Sequence, residues 1–291
     1  MMAHFPPPRS QGPVWAPSTR RALLLGTAAG LCGCAAAEQA QTIQTHIYSP
    51  HGLTLTVYPC DTARAPAVLL LHGGGWYGGE PADMASIAAM LSPHGLRPIS
   101  VQYRLTEQGA RWPAPAEDVR AAIWWVREHA DQLDIDPDQI VGLGYSAGGH
   151  LAAWCAVTDA ASPRGVRGRL NKLITLAAPW DLAYAPDARP EEGNHELDFV
   201  LDLLLGDTPR AAASPLGLID SQTPPTLLIH GEQDATVPIA QSVRAYAAFR
   251  AANALATLIR LDNQDHDSLY GRHAFARVLE NVIAFINGGA R

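Results

Sequence analysis

Two kinds of hydrophobic pattern take turns along the chain. Residues 67–71, 98–101, 139–143, 172–177, 226–229 and 257–261 are apolar runs without polar alternation, as strands buried on both faces of a sheet require. Between them apolar positions recur three and four apart: Met84, Ile87, Ala88 and Leu91; Val119, Ile123, Val126 and Ala130; and Phe275, Val278, Leu279, Val282, Phe285 and Ile286. That spacing predicts helices with one buried face. Ahead of them, 42–48 and 53–58 are β-rich and flank Pro50-His51-Gly52, with Thr54, Thr56 and Tyr58 alternating with apolar neighbours. This predicts an antiparallel hairpin. Repeated strand–helix units need right-handed crossovers, hence a mostly parallel sheet of about eight strands with helices on both faces and the hairpin at one edge. The stretch 181–223 fits neither pattern except for a helical segment at 199–205. A connection of that length inside a domain predicts an active-site cover, here a small lid.

Composition narrows what such a domain does. Of 291 residues, 47% are hydrophobic and 17% charged, the balance of a folded globular chain. With a net charge of −7 and Lys172 as its one lysine, the chain has no basic footprint for nucleic acid. No apolar run reaches the roughly 18–20 residues of a membrane-spanning helix. The first 37 residues read instead as an export signal. A polar, proline-rich opening leads to Arg20-Arg21, an apolar run at 22–31 and small residues through Ala37. Thr19 to Leu24 resembles a twin-arginine signal, and Leu31-Cys32-Gly33-Cys34 resembles a lipobox that would place a lipid anchor on Cys34. The alternative is plain cleavage after Ala35-Ala36-Ala37. Both lead to the periplasm or cell envelope, with 38–291 as the folded domain. Cys60 and Cys155 carry no disulfide framework and are expected as two buried thiols.

Four segments carry chemistry. Gly144-Tyr145-Ser146-Ala147-Gly148-Gly149 stands between the strand at 139–143 and a helical run at 150–157. A nucleophile at the apex of a strand-to-helix turn needs small residues two before and two after it, so Ser146 is the candidate nucleophile. His72-Gly73-Gly74-Gly75-Trp76 closes the strand at 67–71. Its glycines let backbone N–H groups approach a developing oxyanion, which assigns Gly74, Gly75 and Ala147. Asp234 follows the strand at 226–229 and His266 follows that at 257–261. A serine hydroxyl is a weak nucleophile alone, so His266 is the expected base and Asp234 the carboxylate that orients it. Asp262 stands as the other acid, and His230 and His273 as the other bases. His72 and His230 sit at strand ends, where the usual role is a loop hydrogen bond, and His150 falls on the helix after the nucleophile. Asp265 and Asp267 flank His266, but no second histidine sits at a zinc-like helical spacing, so no metal and no cofactor are expected. Trp76, Tyr77, Tyr145 and Trp180 fall near the expected mouth as substrate-pocket candidates, while Trp124 and Trp125 fall within a helix as packing residues.

Taken together, His72 to Trp76, Val101-Gln102-Tyr103-Arg104-Leu105, Pro113-Ala114 with Asp118, and Gly144 to Ala152 resemble exported bacterial esterases of the α/β-hydrolase fold. The resemblance spans about 42–287. It lies with the hormone-sensitive-lipase-like carboxylesterases and, more closely, with the small-lidded feruloyl and acetyl-xylan esterase-like branch. It implies hydrolysis of a small-molecule carboxylic ester, short-chain, acetyl or aromatic, through an acyl-enzyme on Ser146. The short stretch between Cys34 and the first strand leaves no room for the amino-terminal cap of hormone-sensitive-lipase-like members, which points away from bulky lipids. Arylformamidase-type amidases share the histidine–glycine–glycine turn and the Ser-Ala-Gly-x-His-Leu run. A non-catalytic surface lipoprotein on the same scaffold is the reading from another class, since fold alone does not give function. The presence of Ser146, Asp234 and His266 counts against it.

Overall fold

The structure, a computed structural model, describes residues 42–158, 169–184 and 195–288. Its eight strands form one sheet: β1 (Gln44–Ile47), β2 (Thr54–Val57), β3 (Ala65–Leu71), β4 (Arg97–Val101), β5 (Ile135–Tyr145), β6 (Lys172–Leu176), β7 (Thr226–Gly231) and β8 (Ala256–Leu261). Their order is β1-β2-β4-β3-β5-β6-β7-β8. The β1–β2 and β2–β4 pairs are antiparallel, and every pair from β4 to β8 is parallel. β5 begins four residues before the expected run, because Ile135 and Asp136 pair with Ala65 and Pro66 before the register shifts at Pro66/Ala67.

The unalternated runs are explained by the two cores they feed. Val68, Leu70, Val141, Leu143, Leu227 and Ile229 point to one face of the sheet. There they meet α1 (Ala85–Leu91) through Ile87 and Leu91, and the last helix (Arg272–Asn287) through Phe275, Val278 and Val282. Ala67, Leu69, Leu71, Ile140, Leu173 and Leu228 point to the other face. That face is covered by α2 (Ala114–Glu128), α3 (Ala147–Val157), α4 (His195–Leu205) and α5 (Ala240–Ala251); the last helix is α6. Period-two alternation therefore exists in space while both sets of positions are apolar.

α5 was not legible in the pattern. Its sequence scatters alanines around the helix, and only Gln241, Ser242, Ala245 and Phe249 are buried. Phe249 stands edge-on to Trp180, with ring centroids 5.6 Å apart. Trp180 is fully buried in that core, so it is a packing residue and not part of a substrate pocket. Trp125, half-buried, stacks on His129 at 3.9 Å. Cys60 and Cys155 are free, buried thiols, and burial pushes Cys155 up to about 12.

The described part of the segment expected as a lid is packed down onto the domain. Leu201, Leu204 and Leu205 of α4 join the core. The Trp112 amide donates to the Leu204 carbonyl at 2.7 Å, and the Arg111 guanidinium donates to the Leu203 carbonyl. Two 3-10 turns follow, Arg210–Ala213 and Pro215–Leu218. Residues 185–194 of the expected lid, and the export signal with Cys34, lie outside the described residues. Arg104 grips the buried Asp118 with two side-chain bonds of 2.7 and 2.8 Å, tying the loop after β4 to α2.

Phe249→Ala empties the contact between α5 and Trp180, and should lower unfolding stability by about 3–5 kcal/mol. Urea unfolding measures it; a loss below about 1 kcal/mol would mean the site collapses around the gap rather than depending on this ring.

Candidate active site

β5 runs into α3 through a single residue, Ser146, at φ 51° and ψ −119°. A non-glycine residue at such dihedrals costs of order 1–3 kcal/mol and persists only where its surroundings hold it. Here the Ser146 amide donates to the Leu176 carbonyl of β6 at 2.8 Å, and α3 is buried along nearly its whole length. The glycines on either side are required by close approach: a Cβ on Gly144 would strike the Gly148 backbone, and one on Gly148 would strike the carbonyls of Leu71 and His72. The turn therefore presses α3 against the end of β3.

The other two predicted residues arrive from β7 and β8. The loops that follow these strands are joined by bonds from the Glu232 amide to the Leu261 carbonyl and from the Gln233 amide to the Gln264 carbonyl, each 3.0 Å. Asp265 caps the short helix His266–Tyr270 by accepting from the Ser268 amide at 2.9 Å. The Tyr145 hydroxyl donates to the His266 carbonyl at 2.9 Å. With its backbone so held, His266 has Nε2 2.9 Å from Ser146 Oγ and Nδ1 2.7 Å from Asp234 Oδ2. Since a carboxylate only accepts, Nδ1 carries the ring proton, leaving Nε2 to accept from the serine hydroxyl.

Asp234 is buried, with Oδ1 accepting from the amides of Val237 at 2.7 Å and Thr236 at 3.0 Å. His230 Nε2 lies 3.3 Å from Oδ2 while also meeting the Val237 carbonyl at 2.7 Å. Burial pushes this carboxyl up, but hydrogen bonds from His230, His266 and the Val237 amide outweigh it and hold the group at about 2. His230 therefore sits behind the acid and away from the serine. His273 is exposed on α6, and Asp262 is likewise exposed; the carboxylate at His266 Nδ1 is that of Asp234.

Gly74, Gly75, Tyr145, Ser146, Val200 and His266 share the walls of one cavity of about 320 Å³. Trp76, Pro179, Thr236, Val237 and Asp267 complete it. Gly74 and Gly75 adopt φ 106° and 60°, which L side chains rarely reach, and among the described residues their amides have no acceptor. Ala147 opens α3, where an amide has no partner within the helix. Trp76 and Tyr145 line the cavity as expected, whereas Tyr77 is 45% exposed and does not, and neither does Trp180. Pro179, Val200, Thr236, Val237 and Asp267 carry no sequence signal that marks them as cavity walls. The helical pattern at 199–205 marks Val200's segment, but nothing local says which side faces the serine. A wider hollow of about 610 Å³ lies at the amino ends of β6, β7 and β8 around Lys172. It holds no nucleophile with a base, and the Lys172 ammonium is already bound to the carbonyls of Phe285 and Ile286 at 2.8 and 2.7 Å.

Residues 55–249 match the BD-FAE family. The match takes in His72 to Trp76, Ser146 and Asp234 and stops before His266. Esterase LipQ of Mycobacterium tuberculosis is 35% identical over 202 residues, 66% of this chain and 47% of that one. The chain thus spans about half the length of the curated relatives it matches. Among solved structures, Thermogutta terrifontis esterase 2 phosphonylated by sarin superposes with a TM-score of 0.75 at 26% identity, covering 86% of this chain and 96% of that one. An acetyl ester-xyloside bifunctional hydrolase from Caldicellulosiruptor lactoaceticus superposes at 0.67 with 25% identity, covering 82% and 86%. The sheet order and these neighbours identify the α/β-hydrolase fold.

The depressed Asp234 carboxyl contributes stability that is present above its ordinary value near 3.8 and is lost as pH falls through about 2. Asp234→Asn should remove this dependence, so that wild type and variant converge in urea midpoint as pH falls from about 4 to about 2. Parallel curves across that window would show that Asp234 is not held ionised by the fold.

Proposed function

Because the chain belongs to the BD-FAE family, we propose that it is a serine hydrolase of small carboxylic esters. The observation that carries this reading is the line Ser146–His266–Asp234, with contacts of 2.9 and 2.7 Å, opening on the same cavity as Gly74 and Gly75. The names of LipQ as an esterase and of the Thermogutta protein as an esterase that takes a phosphonyl group from sarin support it.

The chemistry follows from the contacts. Ser146 Oγ attacks the ester carbonyl carbon while its proton passes to His266 Nε2, and the carbonyl oxygen becomes an oxyanion facing the amides of Gly74, Gly75 and Ala147. Asp234 stabilises the charged imidazole. The tetrahedral species collapses, the bond to the alcohol oxygen breaks, and His266 gives its proton to that oxygen. A water then loses a proton to His266 and attacks the acyl carbon; the bond to Oγ breaks, Oγ takes the proton back, and the carboxylic acid leaves. A cavity of about 320 Å³ is at the small end for ligand sites, which supports short acyl groups. Val200 sets that size by covering Gly75, where a built Cβ would lie 3.7 Å from its side chain.

The residues before the domain support an exported protein, cut at the lipobox-like run Leu31 to Cys34 and lipid-anchored through Cys34 in the cell envelope. Cys34→Ser should move the protein from the membrane to the soluble fraction of the envelope; an unchanged distribution, with an amino terminus beyond Ala37, would assign plain cleavage instead.

With p-nitrophenyl esters from acetate to dodecanoate, wild type should turn over acetate and butyrate best, and Ser146→Ala should fall to background. Val200→Ala should raise kcat/KM for hexanoate relative to acetate by about 10-fold, the scale of one or two methylenes in a pocket. Equal rates in wild type and Ser146→Ala would remove the esterase reading.

A further inference from the structure

His150 is buried completely, one turn of α3 beyond Ser146, and takes no part in proton transfer. Both of its ring nitrogens are engaged. The Trp76 indole Nε1–H donates to Nδ1 at 3.2 Å, and Nε2 meets the Ala213 carbonyl at 2.8 Å. An indole N–H only donates and a carbonyl only accepts, so the ring must be the neutral tautomer with its proton on Nε2. Burial holds its pKa down to about 4, in keeping with a neutral ring.

The two partners belong to the parts of the site that most need holding. Trp76 directly follows Gly75 and is itself in the left-handed region at φ 57°, a costly conformation for a tryptophan. Its carbonyl accepts from the Thr106 amide at 2.9 Å, so the backbone is pinned on one side and the indole by His150 on the other. The Trp76 ring also stands edge-on to the imidazole, centroids 5.1 Å apart. Ala213 lies in the lid segment, whose helix α4 places Val200 over Gly75.

Building on the esterase reading, we propose that His150 is a positioning residue for the oxyanion turn: it locks Trp76, and through it the amides of Gly74 and Gly75, against the lid at Ala213. A side chain here that fills space without accepting from the indole leaves the nucleophile and base intact but lets the oxyanion donors drift. The deficit then falls on the step in which charge develops on oxygen and spares ground-state binding.

The test uses the folded domain with p-nitrophenyl acetate and four variants: Trp76→Phe, His150→Phe, the double variant, and His150→Gln, whose amide can accept from the indole and donate to Ala213. Trp76→Phe and His150→Phe should each lower kcat by about 10- to 100-fold, up to the lower end of the roughly 100- to 1,000-fold loss for an oxyanion donor removed outright, with KM changed by less than about 3-fold. The double variant should be no worse than the poorer single one, because each single variant already breaks the Trp76–His150 bond, and His150→Gln should recover most of kcat. If His150→Phe does not fold, Trp76→Phe, which keeps an aromatic ring in place, decides the matter through kcat alone. Variants that melt at lower temperature yet keep wild-type kcat, or single losses that multiply in the double variant, overturn the proposal. A wild type without Ser146-dependent turnover fails the esterase reading instead, so the two failures are told apart.

Discussion

The backbone at Ser146 is the constraint around which the site is arranged. A serine at φ 51° is unfavourable by itself; it is held because its amide is claimed by β6 and because Gly144 and Gly148 let α3 close on the end of β3. That closeness has a second effect. The oxyanion turn grows out of the end of β3, so packing α3 onto Leu71 and His72 brings Gly74 and Gly75 to the same cavity as Oγ. One packing contact thus places Ser146 and the amides of Gly74 and Gly75 together, at the ends of the two central strands of the sheet.

Asp234 and His266 are arranged by electrostatics more than by packing. Asp234 is removed from water yet stays ionised, because two backbone amides and two imidazoles surround its oxygens. A buried carboxylate so satisfied is a fixed negative charge, ready to stabilise an imidazolium on His266 without reorganisation. His230 serves this arrangement from behind, bridging the carboxylate, the Val237 carbonyl and the Ser242 hydroxyl.

Much of this was legible in the sequence wherever the cause was local. Unalternated apolar runs mark β3 to β7 because both faces are covered, whereas on the edge strand β8 only Leu261 is buried, so its run overstates its burial; Gly144 and Gly148 mark the turn at Ser146 because no larger residue fits there. α5 carries no stripe in its sequence, because alanines sit on its buried and exposed sides alike. The position of the Trp180 ring is hidden from the sequence for a different reason. A tryptophan just beyond a strand's carboxyl end is near the mouth in sequence, but its ring turns inward to Phe249. The roles of Val200 and of the Trp76–His150–Ala213 bridge depend on partners from 63 to 74 positions away or on the lid's docking, which no local pattern encodes.

The most direct measurement is reaction with a fluorophosphonate followed by intact-mass analysis and peptide mapping. Attack by Oγ on phosphorus with loss of fluoride depends on the whole constellation, since the serine must be activated by His266 and the phosphoryl oxygen must enter the oxyanion turn. One adduct per chain is expected, on the peptide containing Ser146, formed far more slowly in His266→Ala and absent in Ser146→Ala. An unmodified wild-type chain, or a label on any other residue, would contradict the assignment of Ser146 as the activated nucleophile.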